Sequence, residues 1–139
     1  MRPRSSSLLA LAVVAGVACE KLPAAPEPPN QPPTAAFFFT PVAPIYAGQS
    51  VVVFNGIGSA DRDGQVVGYQ WDFGDGTTPE TGGPVVQHTF PATGARCLNV
   101  TYGVSLLVSD DKGARAVASQ DVTVTQGPAP TAPECQPPR

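Results

Sequence analysis

The chain has 139 residues, of which 17 are proline, and its eight Lys and Arg against eleven Asp and Glu give a formal net charge of −3 at pH 7. This length allows one small domain at most, and a mildly acidic chain without a basic stripe is a poor nucleic-acid binder. Proline-rich segments, 22–34 and 127–139, flank the region that can fold. We expect these flanks to be disordered because they have little apolar surface to bury. The domain is therefore predicted over residues 35–126.

Residues 1–18 have the pattern of an export signal peptide. A basic start is followed by an apolar run, residues 8–18, which is too short to span a bilayer. The run ends in Gly16-Val-Ala-Cys19, which resembles the lipobox of bacterial lipoproteins, where the cysteine is acylated and becomes the mature N-terminus. The resemblance implies a lipid on Cys19, a linker over residues 19–34, and an outer-membrane or cell-surface location. A secreted or periplasmic protein is the alternative.

Alternating apolar residues predict six short strands over 35–126, with a seventh possible. The strands are expected at 36–40, 50–55, 65–73, 85–90, 102–109 and 114–125. Their predicted inward residues are Phe37, Phe39, Val52, Phe54, Val67, Tyr69, Trp71, Phe73, Val86, His88, Phe90, Tyr102, Val104, Leu106, Val108, Val122 and Val124. Strands of this number and spacing are typical of two packed antiparallel sheets. The predicted fold class is therefore all-β, an Ig-like antiparallel β-sandwich of six to seven strands.

The third predicted strand ends in the segment Tyr69-Gln-Trp71-Asp-Phe73-Gly74-Asp75-Gly76. Its three rings fall on one strand face, and the Gly-Asp-Gly run ends the strand in a sharp turn. The segment resembles the core signature of PKD domains, Y-x-W-D-F-G-D-G. Three further motifs of that family follow the same order along the chain: S-x-D-x-D-G at residues 59–64, H-x-F at 88–90 and V-x-L-x-V-x-D-x-x-G at 104–113. The resemblance implies an Ig-like module, generally non-catalytic, of the kind found in extracellular bacterial proteases, chitinases and collagenases.

Four aspartates are candidates for a cation site. Asp61 and Asp63 precede the third strand, while Asp110 and Asp111 lie in the turn before the last strand. In an Ig-like sandwich these two loops share one end, and converging carboxylates suit Ca²⁺. Some PKD-like modules of bacterial collagenases bind calcium, so the resemblance also makes Ca²⁺ the one possible cofactor. The alternative is that these carboxylates only hydrogen-bond their own turns.

No catalytic residue is predicted. His88 is the single histidine, and its position between two inward apolar residues favours a structural role. One histidine also leaves no zinc site of ordinary ligand type. We therefore expect no enzyme activity, and we expect Asp75 to serve only in forming its turn.

The three cysteines are expected to differ in their covalent modification. If Cys19 carries lipid, Cys97 and Cys135 remain as an even pair in an oxidising compartment. Cys97 lies in an insertion, relative to PKD domains, between Gly94 and Tyr102. Because the last strand should return to the end where the Tyr102 strand begins, we predict a Cys97–Cys135 disulfide. Two free thiols, or a cross-link to another chain, are the alternatives.

Together these features predict a non-catalytic surface or periplasmic lipoprotein with one PKD-like domain for protein binding, adhesion or envelope assembly. The expected partners are a membrane, through the lipid, and an unidentified protein, with the domain monomeric. The alternative is a polysaccharide-binding accessory module that serves a separate extracellular enzyme. Such a module needs exposed planar rings, and once the core is filled only Phe38 and Tyr46 remain for that role.

Overall fold

A computed structural model describes residues 25–77, 80–94 and 98–127. It contains seven strands: β1 (Phe38–Thr40), β2 (Val52–Asn55), β3 (Val66–Asp72), β4 (Glu80–Gly82), β5 (Val85–His88), β6 (Leu98–Asp110) and β7 (Arg115–Gln126). In the described part of the chain no helix is long and apolar enough to cross a membrane. The predicted all-β fold is confirmed.

The strands form two sheets, ordered β1-β2-β5 and β4-β3-β6-β7, in which all paired strands are antiparallel. The core lies between the sheets. Phe54 is fully buried at its centre, with ring centroids 5.9 Å from Trp71, 5.2 Å from Phe73 and 6.3 Å from Phe90. Each such ring removes roughly 150–250 Å² from water, so these aromatics dominate the stabilisation of a small core. The predicted inward residues of β2, β6 and β7 are all buried.

The prediction that Val67 points inward is wrong. Val67 is 62% exposed, because a β-bulge interrupts the pairing of β3 with β6 between Val66 and Gly68. An extra residue in one strand reverses the inside–outside alternation on one side of the bulge. Val66 therefore packs against the core in place of Val67, while Trp71 and the residues after it keep the predicted alternation.

Two segments predicted as loops are strands. β4 pairs with β3 at the sheet edge. β6 begins at Leu98, four residues before the predicted start, and Leu98 to Thr101 pair with Gln126 to Thr123 of β7. Most of the expected insertion therefore lengthens the β6–β7 hairpin. Cys97 itself lies outside the described residues, as do Cys19, Cys135 and the predicted signal peptide.

The folded part begins before residue 35. Thr34 and Ala60 exchange two backbone hydrogen bonds, with N···O distances of 2.7 and 3.0 Å. The Asn30 side chain and the Gln31 amide also bond to the domain, at Asp110 and Asp63. The end of the proline-rich segment is thus part of the sandwich and closes the end where the two aspartate-bearing loops lie.

Candidate functional site

The loop before β3 and the β6–β7 turn meet at one end of the sandwich, as predicted. The Asp111 amide donates to Gln65 O over 3.0 Å. Lys112 Nζ donates to Asp63 O over 2.8 Å and lies 3.3 Å from Asp63 Oδ2. We call Asn30, Asp61, Asp63, Asp110, Asp111 and Lys112 the acidic end. All four predicted aspartates belong to it.

Asp110 holds the turn and the N-terminal segment together. Its Oδ1 accepts from the amides of Lys112 (2.9 Å) and Ala114 (2.7 Å), and its Oδ2 accepts from Asn30 Nδ2 (2.8 Å). Burial by itself raises the pKa of Asp110, but the bonds from Asn30, Ala114 and Lys112 outweigh it and leave the pKa below its ordinary value. An ionised carboxylate that accepts bonds from its own turn is what we expect if Asp110 serves to form that turn.

Lys112 is the cation within the acidic end. Burial lowers its pKa, but contact with Asp63 and the nearby charges of Asp111 and Asp61 raise it overall. The pKa of Asp63 is held down in turn: burial raises it, while the Gln31 amide and Lys112 lower it more. The loops therefore create a negative potential that favours a positive charge, and a lysine of the same turn supplies one.

Two oxygens in the acidic end have unmet hydrogen-bonding capacity. Asn30 Oδ1 and Asp61 Oδ2 are buried without a hydrogen-bond partner among the described residues. A Cβ on Gly64 would lie 2.7 Å from Asp61 Oδ2 and closer still to Asp111 Oδ1. The Asp61 and Asp111 carboxylates therefore both face this glycine. Within the described ranges no group of three or more His, Cys, Asp or Glu side chains could hold a metal ion. A cation here would therefore need the Asn30 amide oxygen or backbone carbonyls as additional ligands.

His88 and Asp75 pair away from the acidic end. His88 Nε2 lies 2.7 Å from Asp75 Oδ2, and its ring stacks on Phe73 at a centroid distance of 3.8 Å. Thr77 donates to Asp75 Oδ1 from its amide and its hydroxyl. The arrangement fits the structural role expected of His88. Sequence reasoning gave Asp75 a turn role and missed its bond to His88, although both residues belong to motifs of the same family.

The remaining signature residues build the core and its turn. Trp71 and Phe73 are buried, and Tyr69 packs half-buried against the core cluster. Trp71 Nε1 donates to Gly83 O over 3.4 Å. Gly74 and Gly76 have positive φ angles, +68° and +86°, as the sharp turn after β3 requires.

An exposed apolar surface covers the outward side of the three-stranded sheet. Phe38, Asn55 and Val85 form one cross-strand row, and Thr40, Val53 and Gln87 form the next. Their neighbours Phe39, Phe54 and Val86 point into the sandwich. We call these six outward residues the Phe38 face. Phe38 is 57% and Val85 45% exposed. Tyr46, the other ring expected to be free, is half-buried.

These motifs and this topology agree with a family match: a profile described as PKD domain aligns with residues 30–125. The chain belongs to the PKD domain family. The match begins at the residue whose side chain bonds to Asp110, which agrees with the early start of the folded part.

Similar PKD sequences occur in large bacterial enzymes. The chain is 41% identical over 76 residues to collagenase ColQ1 of Bacillus cereus strain Q1, covering 55% of this chain and 7% of that enzyme. It is 36% identical over 66 residues to the pre-pro-metalloprotease PrtV of Vibrio cholerae, covering 48% of this chain and 6% of the protease. The chain thus matches only a small part of each enzyme, namely its PKD region.

Solved structures give the same fold. The PKD1 domain of Vibrio anguillarum Epp superposes with a TM-score of 0.55 at 29% identity, over 72% of this chain and all of that one. A structure described in terms of carbohydrate-binding modules of the β-sandwich superfamily gives a TM-score of 0.61 at 36% identity, over 71% of this chain and 36% of that one.

Proposed function

We propose that the protein is an exported, non-catalytic PKD lipoprotein that binds a protein ligand through the Phe38 face. The observation that supports this proposal is the exposed apolar surface of the Phe38 face. It places an aromatic ring and two valines on the outside of the sheet, interspersed with Thr40, Asn55 and Gln87. Exposed apolar surface of this kind is typical of protein-interaction sites.

The composition of the surface favours a protein over a polysaccharide. Sugar rings stack on flat aromatic side chains, and the Phe38 face offers one such ring among aliphatic groups. The polysaccharide alternative draws support from the structural neighbour described in terms of carbohydrate-binding modules. An accessory role beside a separate enzyme draws support from the collagenase and metalloprotease relatives.

The proposal is tested by retention of the full mature chain, carrying Cys19→Ser to remove the lipid, on three probes. These are immobilised envelope proteins, fibrillar collagen and microcrystalline cellulose. Phe38→Ser should weaken retention on a protein probe at least about tenfold. The matched control is Val67→Ser, a residue 62% exposed on β3 of the other sheet, which should leave retention unchanged.

The pattern of retention distinguishes a protein ligand from a polysaccharide and tests whether the Phe38 face is the binding site. Retention on cellulose alone, lost on Phe38→Ser, replaces the protein ligand by a polysaccharide. Retention on no probe, or retention that Phe38→Ser does not reduce, contradicts the assignment of the site to this face.

Attachment through Cys19 is the second part of the proposal. A diacylglycerol and an amide-linked chain contribute about 0.8 kcal/mol for each buried methylene, so two or three chains hold a protein stably in a membrane. Mass spectrometry of the mature N-terminus should find an acylated Cys19. Cleavage elsewhere or an unmodified Cys19 would leave a secreted or periplasmic protein.

Calcium at the acidic end is the third part, supported by Asn30 Oδ1 and Asp61 Oδ2, which are buried without a hydrogen-bond partner in the part of the chain that the structure describes. Hard oxygen ligands suit Ca²⁺, which would bind beside the positive charge that Lys112 already places on Asp63. At a Ca²⁺ concentration about five times the Kd, linkage gives about 1 kcal/mol, which is a rise in Tm of about 4–8 °C for a domain of this size. Asp61→Asn should abolish the rise, and Asp72→Asn, at the opposite end of β3, should keep it. A Tm that neither chelator nor millimolar Ca²⁺ changes contradicts the proposal.

A further inference from the structure

The four-stranded sheet has one short and one long edge. β4 closes one side with three residues, Glu80–Gly82, whereas β7 runs for twelve residues along the other side. β7 pairs with β6 in uninterrupted register from Arg115 to Gln126, so no bulge bends this edge away. Residues 115–123 contain no proline, glycine or lysine. Apart from the charges of Arg115 and Asp121, residues 115–123 of β7 therefore lack the features that usually keep a sheet edge from pairing with another chain.

The direction of the unpaired backbone groups on β7 follows from one contact. Thr125 N donates to Ile45 O and Thr125 O accepts from Ala47 N, so the peptide groups of Thr125 point away from β6. Peptide groups alternate along a strand. Those of Arg115, Val117, Ser119, Asp121 and Thr123 therefore point outward as well, and no described residue forms a backbone hydrogen bond with them.

The side chains on this edge are complementary to a second copy of the same edge. Arg115, Val117, Ser119 and Asp121 are all exposed and, being two residues apart, lie on the same side of the sheet. A two-fold axis at Ala118 sets Arg115 opposite Asp121 and Val117 opposite Ser119 in each direction. Sliding the register by two residues either way removes both charge pairs, so opposite charges select one alignment.

We propose that two copies of the protein associate in antiparallel fashion through β7, with Arg115 of each opposite Asp121 of the other, to form one continuous eight-stranded sheet. In an antiparallel pairing, two opposite residues whose peptide groups point at each other form two backbone hydrogen bonds. Four such residue pairs would form across the two-fold axis. The two Arg–Asp pairs fix the register. This replaces the expectation of a monomer, and it uses a different sheet from the Phe38 face.

Sedimentation velocity over a concentration series tests the dimer, using the full mature chain with Cys19→Ser so that lipid does not drive association. The chain should dimerise reversibly, and a non-reducing gel should show no covalent dimer. Asp121→Arg places Arg opposite Arg, and Arg115→Asp places Asp opposite Asp. Each change alone should raise the dimer dissociation constant at least about tenfold. The Arg115→Asp, Asp121→Arg double variant should dimerise like the unaltered chain.

Mixing the two single variants gives the most specific result. An Asp121→Arg chain beside an Arg115→Asp chain restores both opposite-charge pairs, so the mixture should form heterodimers although neither variant self-associates. Thermal melts establish that each variant is folded. A chain that stays monomeric at all concentrations, a dimer that survives Asp121→Arg, or variants that fail to associate on mixing would each overturn the proposal.

Discussion

Gly74 and Gly76 end β3 with positive φ angles but differ in their surroundings. A Cβ on Gly74 would lie 2.5 Å from the carbonyl oxygen of Gly103, whereas a Cβ on Gly76 would meet nothing within 4 Å. Gly76→Ala should therefore cost only the backbone strain, about 1 kcal/mol. Gly74→Ala adds a clash with the backbone of β6 and should cost about 2–4 kcal/mol.

Urea denaturation measures both glycine variants under the same conditions. The comparison isolates the clash because both residues have positive φ angles, +68° and +86°. Equal losses of unfolding free energy in the two variants would mean that the close approach of Gly74 to Gly103 is not a constraint on the fold.

Asp75 makes the stability of the domain depend on pH. Its side chain is fully buried against His88. Burial raises its pKa, but bonds from Thr77 and His88 lower it more, so the folded-state pKa lies below the ordinary value of 3.8. The unfolded chain therefore takes up this proton first as the pH falls. The stability contributed by the ionised Asp75 is present above about pH 4 and is lost as the pH falls through the lowered pKa.

Asp75→Asn is the corresponding test. At pH 7 it should cost about 1–2 kcal/mol, because it weakens charge-assisted hydrogen bonds to a buried group. The difference in unfolding free energy between the unaltered chain and the variant should shrink between about pH 5 and pH 2. A difference that stays constant over this range would show that the charge of Asp75 is not what stabilises the turn.

At the scale of the element, the bulge in β3 sets which valine enters the core. Val66 packs against the buried cluster and Val67 is exposed. Val66→Ala should therefore cost about 1 kcal/mol, and Val67→Ala should change the unfolding free energy by less than about 0.5 kcal/mol. Denaturant titration of the two variants checks the order. A larger loss at Val67 would place the bulge elsewhere.

The bulge also marks the limit of prediction from sequence. Alternation alone identified the inward residues of β2, β6 and β7, since these strands pair without interruption around their buried positions. Val66 and Val67 are chemically the same, so nothing in the sequence tells which one faces inward. Leu98–Thr101 likewise become strand because β7 lies opposite them. The family motifs predicted the sandwich and the meeting of the aspartate loops, but the bonds of Asn30 and His88 connect residues far apart in the chain.

At the scale of the whole molecule, the two ends of the sandwich are secured differently. The acidic end ties the N-terminal segment to two loops through Asn30 and Asp110. At the other end, Gln126 is fully buried, and its Oε1 accepts from Thr93 N over 2.9 Å. Gln126 also pairs with Leu98. The chain therefore leaves β7 beside the residues that precede and follow Cys97, which is where the proposed Cys97–Cys135 disulfide needs the tail to begin.

The disulfide can be tested through thiols and stability. Cys135 lies nine residues beyond Gln126, and an extended segment of that length reaches about 30 Å, enough to return to Cys97. The bond would close a loop of about 39 residues and stabilise the domain by about 3–4 kcal/mol in the chain-entropy model.

With Cys19 changed to Ser, the oxidised monomer should have no free thiol, and reduction should lower its unfolding free energy by about that amount. The Cys97→Ser, Cys135→Ser double variant should match the reduced chain and no longer respond to reductant. Two reactive thiols before reduction, or a dimer on a non-reducing gel, would leave free cysteines or a cross-link between chains instead.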